Sequence, residues 1–203
     1  MYARIYAKVS SATPILIAAL MIAPPALAHD GTGLAGGFVS GFLHPLNGLD
    51  HMLAMVAVGL WGAFLGRPLI VVLPVIFPTV MALGAMLGMA NAPIPPVELG
   101  IALSVVTLGL LIAGGAGAPV WLACLIVAVF AIFHGYAHGI ELPSAADPVG
   151  YSVGFVLSTG LLHIVGIALG LLHKLRGGRV GTRVVGGLIG LAGLSFLYKA
   201  VAG

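Results

Sequence analysis

The chain has 203 residues, 61% of them hydrophobic and only 6% charged, with a formal net charge of +3 and a mean hydropathy of +1.20. A soluble domain of this length cannot hide so much apolar surface, so the fold class is all-α, a polytopic transmembrane bundle; continuous rather than alternating apolar runs exclude a β-barrel. The few basic residues sit at the ends of apolar segments, which topology explains without nucleic acid, and the single Cys124 excludes an intrachain disulfide framework and a cysteine-rich metal site.

Residues 1–28 read as a cleaved signal peptide. Arg4 and Lys8 precede an apolar segment from about Pro14 to Ile22, Pro24 and Pro25 break it, and Ala26-Leu27-Ala28 has the pattern of a cleavage site. That segment is short for a membrane span. Cleavage makes His29 the new N-terminus, where α-amine and imidazole can bind one metal ion together. An exposed, untethered His29 is the equal alternative.

Six apolar segments follow within a single transmembrane domain, 29–203. The first, about Leu34–Leu65, is longer than a crossing needs and is interrupted by Pro45 and Gly48. Pro45 removes the hydrogen bond to the carbonyl of Gly41, which predicts a kink or break near Gly41. Irregular backbone at membrane depth persists only where protein buries it or where it lines a cavity. This interruption coincides with HPLNGLDH, His44 to His51.

The second segment, about Pro68–Met89, contains Pro74 and Pro78. A short NAPIPP loop leads to the third, about Val97–Ala113, and a glycine-rich turn to the fourth, about Pro119–His138. A loop carrying Glu141 and Asp147 precedes the fifth, about Val149–Leu172. The basic stretch KLRGGRVGTR precedes the sixth, about Val184–Ala202. Gly37 and Gly41, Gly150 and Gly154, Gly166 and Gly170, and Gly186 and Gly190 are each four apart, the spacing that lets helices pack closely in lipid. Arg67, Lys174, Arg176, Arg179 and Arg183 orient their loops to the cytoplasm, and the loop with Glu141 and Asp147 falls outside. Six crossings from an exported N-terminus produce this alternation.

Polar residues in so apolar a chain are functional candidates. His134 and His138 are four apart and share a helix face, which suits a divalent transition metal. Glu141 extends that face if the helix continues past Gly139. Asp50 and His51 are adjacent and point about 100° apart on a regular helix. Either the backbone distorts, or Asp50 holds His51 in its ligand tautomer. Met55, one turn after His51, is a soft donor or simple packing. His163, mid-segment near Ser158 and Thr159, either lines the same path deeper in or bonds a neighbouring helix. His173 is interfacial and Glu98 solvated.

HPLNGLDHMLAMVAVG followed by FHGYAHGIELP resembles the HupE/UreJ family of membrane proteins across essentially the whole mature chain. The resemblance implies uptake of nickel or cobalt for hydrogenase, urease or cobalamin enzymes. It carries His44, Asp50 and His51 over as metal residues of the first motif, and His134, His138 and Glu141 as those of the second. Another nickel/cobalt permease family has a similar His…Asp-His signature at a shorter spacing, so its geometry is not carried over.

The expected function is a secondary permease for Ni²⁺ or Co²⁺, with the ion as substrate and no permanent cofactor. Glu141, Asp147 and His29 attract the ion, His51, His134, His138 and His44 bind it, and Asp50 offsets charge or orients a ring. Neutral imidazole is the competent form, so uptake is expected to fail as pH falls through the ordinary histidine range. A homo-oligomer and metalloenzyme maturation partners are both compatible with the chain. One rival is a haem cytochrome, disfavoured because these histidines cluster with acids. The other is a metal-sensing or delivery subunit for hydrogenase or urease maturation, disfavoured because no soluble docking domain is visible. No enzyme is expected: HExxH is absent, and no Ser/His pair is suggested by spacing.

Overall fold

The computed structural model describes residues 34–141 and 147–202, and every regular element among them is helical. The helices are α1 (Leu34–Asn47), α2 (Leu49–Leu65), α3 (Leu69–Met89), α4 (Val97–Gly114), α5 (Val120–Glu141), α6 (Pro148–Leu171) and α7 (Gly178–Ala202), with a 3-10 turn at Leu172–Lys174. The expected signal peptide, its cleavage site and His29 lie outside the described residues, as does the side chain of Glu141.

Helices α3 to α7 are each long and apolar enough to cross a membrane; α1 and α2, bent by 81° at their junction, make a sixth crossing when taken together. The break comes later than the proline alone predicts. Helix α1 runs through Pro45 to Asn47 and ends at Gly48, whose backbone is extended (φ −94°, ψ 106°). One missing hydrogen bond at Gly41 leaves the neighbouring turns intact. Gly48, a poor helix former, ends the helix, and Asp50 in the first turn of α2 favours a new helix start there. Two further boundaries differ from expectation. Helix α5 continues past Gly139 to Glu141, and α7 begins at Gly178, taking in Arg179 and Arg183 from the expected basic loop.

Helix α2 is the axis of the bundle. Every residue from Met52 to Ala63 is buried, as befits a helix that is apolar all round. Helix α6 packs along both α1 and α2, α3 pairs with α5, and α4 pairs with α7. Glycine sets these approaches. A side-chain carbon at Gly41 would run into the Tyr151 carbonyl, one at Gly154 into that of Phe38, one at Gly166 into that of Val56, and one at Gly135 into that of Met81. Valine and leucine cover the outer faces, with Val71, Leu110, Ile164 and Leu191 well exposed, as a lipid-facing surface requires.

The two ends of the bundle differ. At one, the Phe64 ring meets His173, the Arg183 Nε–H donates to the Ala113 carbonyl at 2.7 Å, and the Trp61 indole N–H donates to Ala116 at 3.3 Å. Lys174, Arg176 and Arg179 line a cleft at this end. At the other end, the Tyr136 hydroxyl donates to the Ala92 carbonyl at 2.8 Å and pins the NAPIPP loop to α5.

The close approaches are testable on one helix. Gly166→Ala places a carbon against the Val56 carbonyl, whereas Gly160→Ala meets nothing within 4 Å. Thermal melting of the purified protein in detergent should show Gly166→Ala destabilised by about 1–3 kcal/mol. Gly160→Ala should melt no lower than the wild type.

Candidate functional site

The break at Gly48 puts His44 on the last turn of α1 and Asp50 and His51 on the first turn of α2. Helix α5 brings His134 and His138, one turn apart, against them. The ring of His138 lies 4.8 Å, centre to centre, from His44 and 4.8 Å from His51, and His51 lies 5.1 Å from His134. The two sequence motifs therefore meet as a continuous run of four imidazoles drawn from α1, α2 and α5.

Aromatic rings enclose this run. Phe155 packs on His138 at 4.3 Å, Tyr151 on His44 at 5.7 Å, and Phe77 on His134 at 5.3 Å. His134 is fully buried and His138 nearly so. Tyr151 and Phe155, four apart on α6, and Phe77, between the two prolines of α3, were not singled out from the sequence. Their spacing is equally that of ordinary core residues.

Two rings are held in a defined tautomer. His134 Nδ1 stands 2.9 Å from the Phe130 carbonyl, which only accepts, so Nδ1 carries the proton and Nε2 keeps the lone pair. His51 Nδ1 stands 2.9 Å from Asp50 Oδ1, and the same oxygen accepts the His51 backbone N–H at 2.8 Å. Both Nε2 atoms are buried with no hydrogen-bond partner among the described residues. Neighbours about 100° apart on a helix thus meet because the Asp50 carboxylate turns back and orients the His51 ring. Gly48 leaves room for the pair, since a side-chain carbon there would stand 3.1 Å from Asp50 Oδ1 and 3.2 Å from His51 Nδ1.

As the side chains stand, no three His, Cys, Asp or Glu among the described residues are arranged to hold an ion. The ring spacing nevertheless fits one. Two imidazoles sharing a tetrahedral ion at a metal–nitrogen distance of about 2.0–2.1 Å have centres roughly 5 Å apart. What differs is orientation: the rings contact one another face to edge or at a tilt, so ligation requires them to turn.

The remaining expected residues are placed variously. Glu141 is the last residue of α5, three after His138. Asp147 lies against Gly37 at the start of α6. Met55 is fully buried in the apolar core. Glu98 lines a cavity of about 210 Å³ with Asp50, Ala102, Phe196, Lys199 and Ala200. No spacing rule links these residues, because they come from α2, α4 and α7.

The tautomer assignment has a direct readout. Histidine ¹⁵N spectra of the protein should show His51 protonated at Nδ1. Asp50→Ala should shift that signal toward the other tautomer and leave His134 unchanged. An unaltered His51 signal would refute the orienting contact.

A family model described as HupE / UreJ protein matches residues 17–196. Protein HupE of Rhizobium leguminosarum bv. viciae is 44% identical over 191 residues, covering 94% of this chain and 98% of the relative. No solved structure matches significantly. The match runs through both histidine motifs, the interrupted first span and most of α7, and the chain belongs to the HupE/UreJ family.

Proposed function

We propose that this protein is a secondary permease for a divalent transition metal ion, nickel or cobalt, in the bacterial inner membrane. The observation that carries this reading is the meeting of His44, His51, His134 and His138 at a helix break inside an apolar bundle. Ionisable residues at membrane depth are expensive and mark ion pathways. Imidazole donors beside a carboxylate suit a borderline transition ion, whereas Mg²⁺ and Ca²⁺ favour oxygen ligands.

In this mechanism the four rings turn from one another toward the ion and replace its water. Asp50 holds His51 with Nε2 presented and adds a negative charge beside the incoming cation. Glu141, Asp147 and His29 draw the ion to the outer end. The basic cluster at the opposite end supports a cytoplasmic placement of that end, so the ion enters from the histidine side. No GxxxxGK[ST] loop is present to bind ATP phosphates. An inside-negative potential of ~100 mV moves a divalent ion with about 4.6 kcal/mol, twice the single-charge value. At about 1.4 kcal/mol per factor of ten, that sustains over a thousandfold accumulation.

Metal entry into proteoliposomes holding the purified protein tests the proposal. Ni²⁺ or Co²⁺ should enter when an inside-negative potential is applied, and Mg²⁺ should not. His51→Ala should abolish entry. Asp50→Asn should weaken metal binding about 10–100-fold, the usual cost of losing a partner that orients a ligand, without lowering the melting temperature. Stoichiometric metal binding without flux would overturn the permease and favour a sensing or delivery subunit.

A further inference from the structure

Beyond the four imidazoles the bundle holds a second polar group that this site leaves unused. His163 lies on α6 eight residues past Phe155, about 12 Å further along the helix axis. It is 1% exposed, and Thr159, one turn earlier on the same face, is 0% exposed. Neither ring nitrogen of His163, nor Thr159 Oγ1, makes a hydrogen bond of good geometry among the described residues. The carbonyl of Pro74 on α3 faces the ring. That carbonyl has no helical donor, because the residue four positions on is Pro78, which lacks an N–H.

An imidazole and a hydroxyl thus lie one turn apart on α6, and the Pro74 carbonyl of α3 interacts with the imidazole. Polar groups buried this deeply normally have partners, and an ionisable one at membrane depth marks an ion path. One ring links this place to the outer cluster. Phe77 packs against His134 at 5.3 Å and against His163 at 5.4 Å.

We propose that His163, Thr159 and the Pro74 carbonyl form an inner transit site for the same divalent transition ion, reached from the four-imidazole cluster past the ring of Phe77. The inference rests on the permease reading. The inner site offers one nitrogen and two oxygens with no carboxylate. It binds a transition ion more weakly than the outer cluster and leaves it more of its water. That order suits an ion moving inward. Phe77, with no donor atom, is the apolar step between two places where the ion can rest.

Two variants of the full chain test this, with Co²⁺ as the probe. His163→Cys, made on a Cys124→Ser background, should give a thiolate-to-cobalt charge-transfer band in the near ultraviolet that Cys124→Ser alone lacks. His163→Leu fills most of the same space without any donor atom. It should leave Co²⁺ binding at the outer cluster unchanged and lower uptake into proteoliposomes roughly tenfold or more. A packing role predicts a harmless Leu variant. The proposal is overturned if the folded Cys variant binds Co²⁺ without the band, or if His163→Leu transports at the wild-type rate. If the Cys variant does not fold, the Leu variant decides. If the wild type shows no uptake at all, the permease reading fails by itself. The band then decides the inner site: its presence keeps an ion site at His163 and its absence removes it.

Discussion

The break at Gly48 is the constraint on which the site depends. Interrupting a helix strands carbonyls on one side and N–H groups on the other, and lipid offers neither any partner. Protein covers one side of the break: His138 of α5 and Tyr151 and Phe155 of α6 pack against His44, while Leu46, Asn47 and Leu49 stay exposed. The same interruption sets the local field. Helix α1 ends at His44 and Asn47, and α5 ends just past His134 and His138, so two negative helix termini converge on the imidazoles. The positive end of α2 points to the same place, and Asp50 in its first turn offsets it. A feature costly to the backbone thereby yields a region that favours a cation.

Helix α6 converts that polarity into a shaped site. Tyr151, Phe155, Thr159 and His163 are successive residues four apart, a ridge that winds slowly around α6. The first two wall the four-imidazole cluster and the last two continue along α6 toward the basic end of the bundle. Gly154, Gly166 and Gly170 let α1 and α2 approach its backbone closely. Without the contact of Gly41 on Tyr151, α1 would sit further out, and His44 would lose its packing on Tyr151 and Phe155. Close packing in this bundle therefore sets site geometry as well as stability.

Much of this was legible in the sequence. Apolar run lengths located the six segments, and the scarcity of charge made the two histidine motifs stand out. What failed were local inferences that tertiary contact overrides. Gly139 looked like a terminator for α5 but serves as a contact surface against Ala85, so the helix runs on to Glu141. Arg183 looked like a loop cation, yet it donates to the Ala113 carbonyl from inside α7. Of the two expected interruptions, Pro45 and Gly48, only the glycine ends the helix; the kink or break expected near Gly41 is absent because one lost hydrogen bond leaves the neighbouring turns intact. Glu98 and Lys199 share a cavity with Asp50 only because α2, α4 and α7 come together there. Phe77 gains its place between two histidines from packing, and its neighbours in sequence give no sign of it.

A permease must release what it binds, and the ring contacts bear on that requirement. Three imidazole pairs, His44–His138, His51–His138 and His51–His134, pack on one another. Aromatic contacts of this kind contribute roughly 0.5–1.5 kcal/mol each. An ion that turns the rings toward itself gives up about 1.5–4.5 kcal/mol, which lowers its affinity by one to three orders of magnitude at about 1.4 kcal/mol per decade. A rigid site with the same ligands, already turned to the ion, would bind more tightly and let go more slowly. In the permease reading, then, imidazoles that contact one another serve transport better than imidazoles poised for an ion. In that reading, the packing that holds the cluster together in an apolar bundle also limits how firmly it can keep an ion.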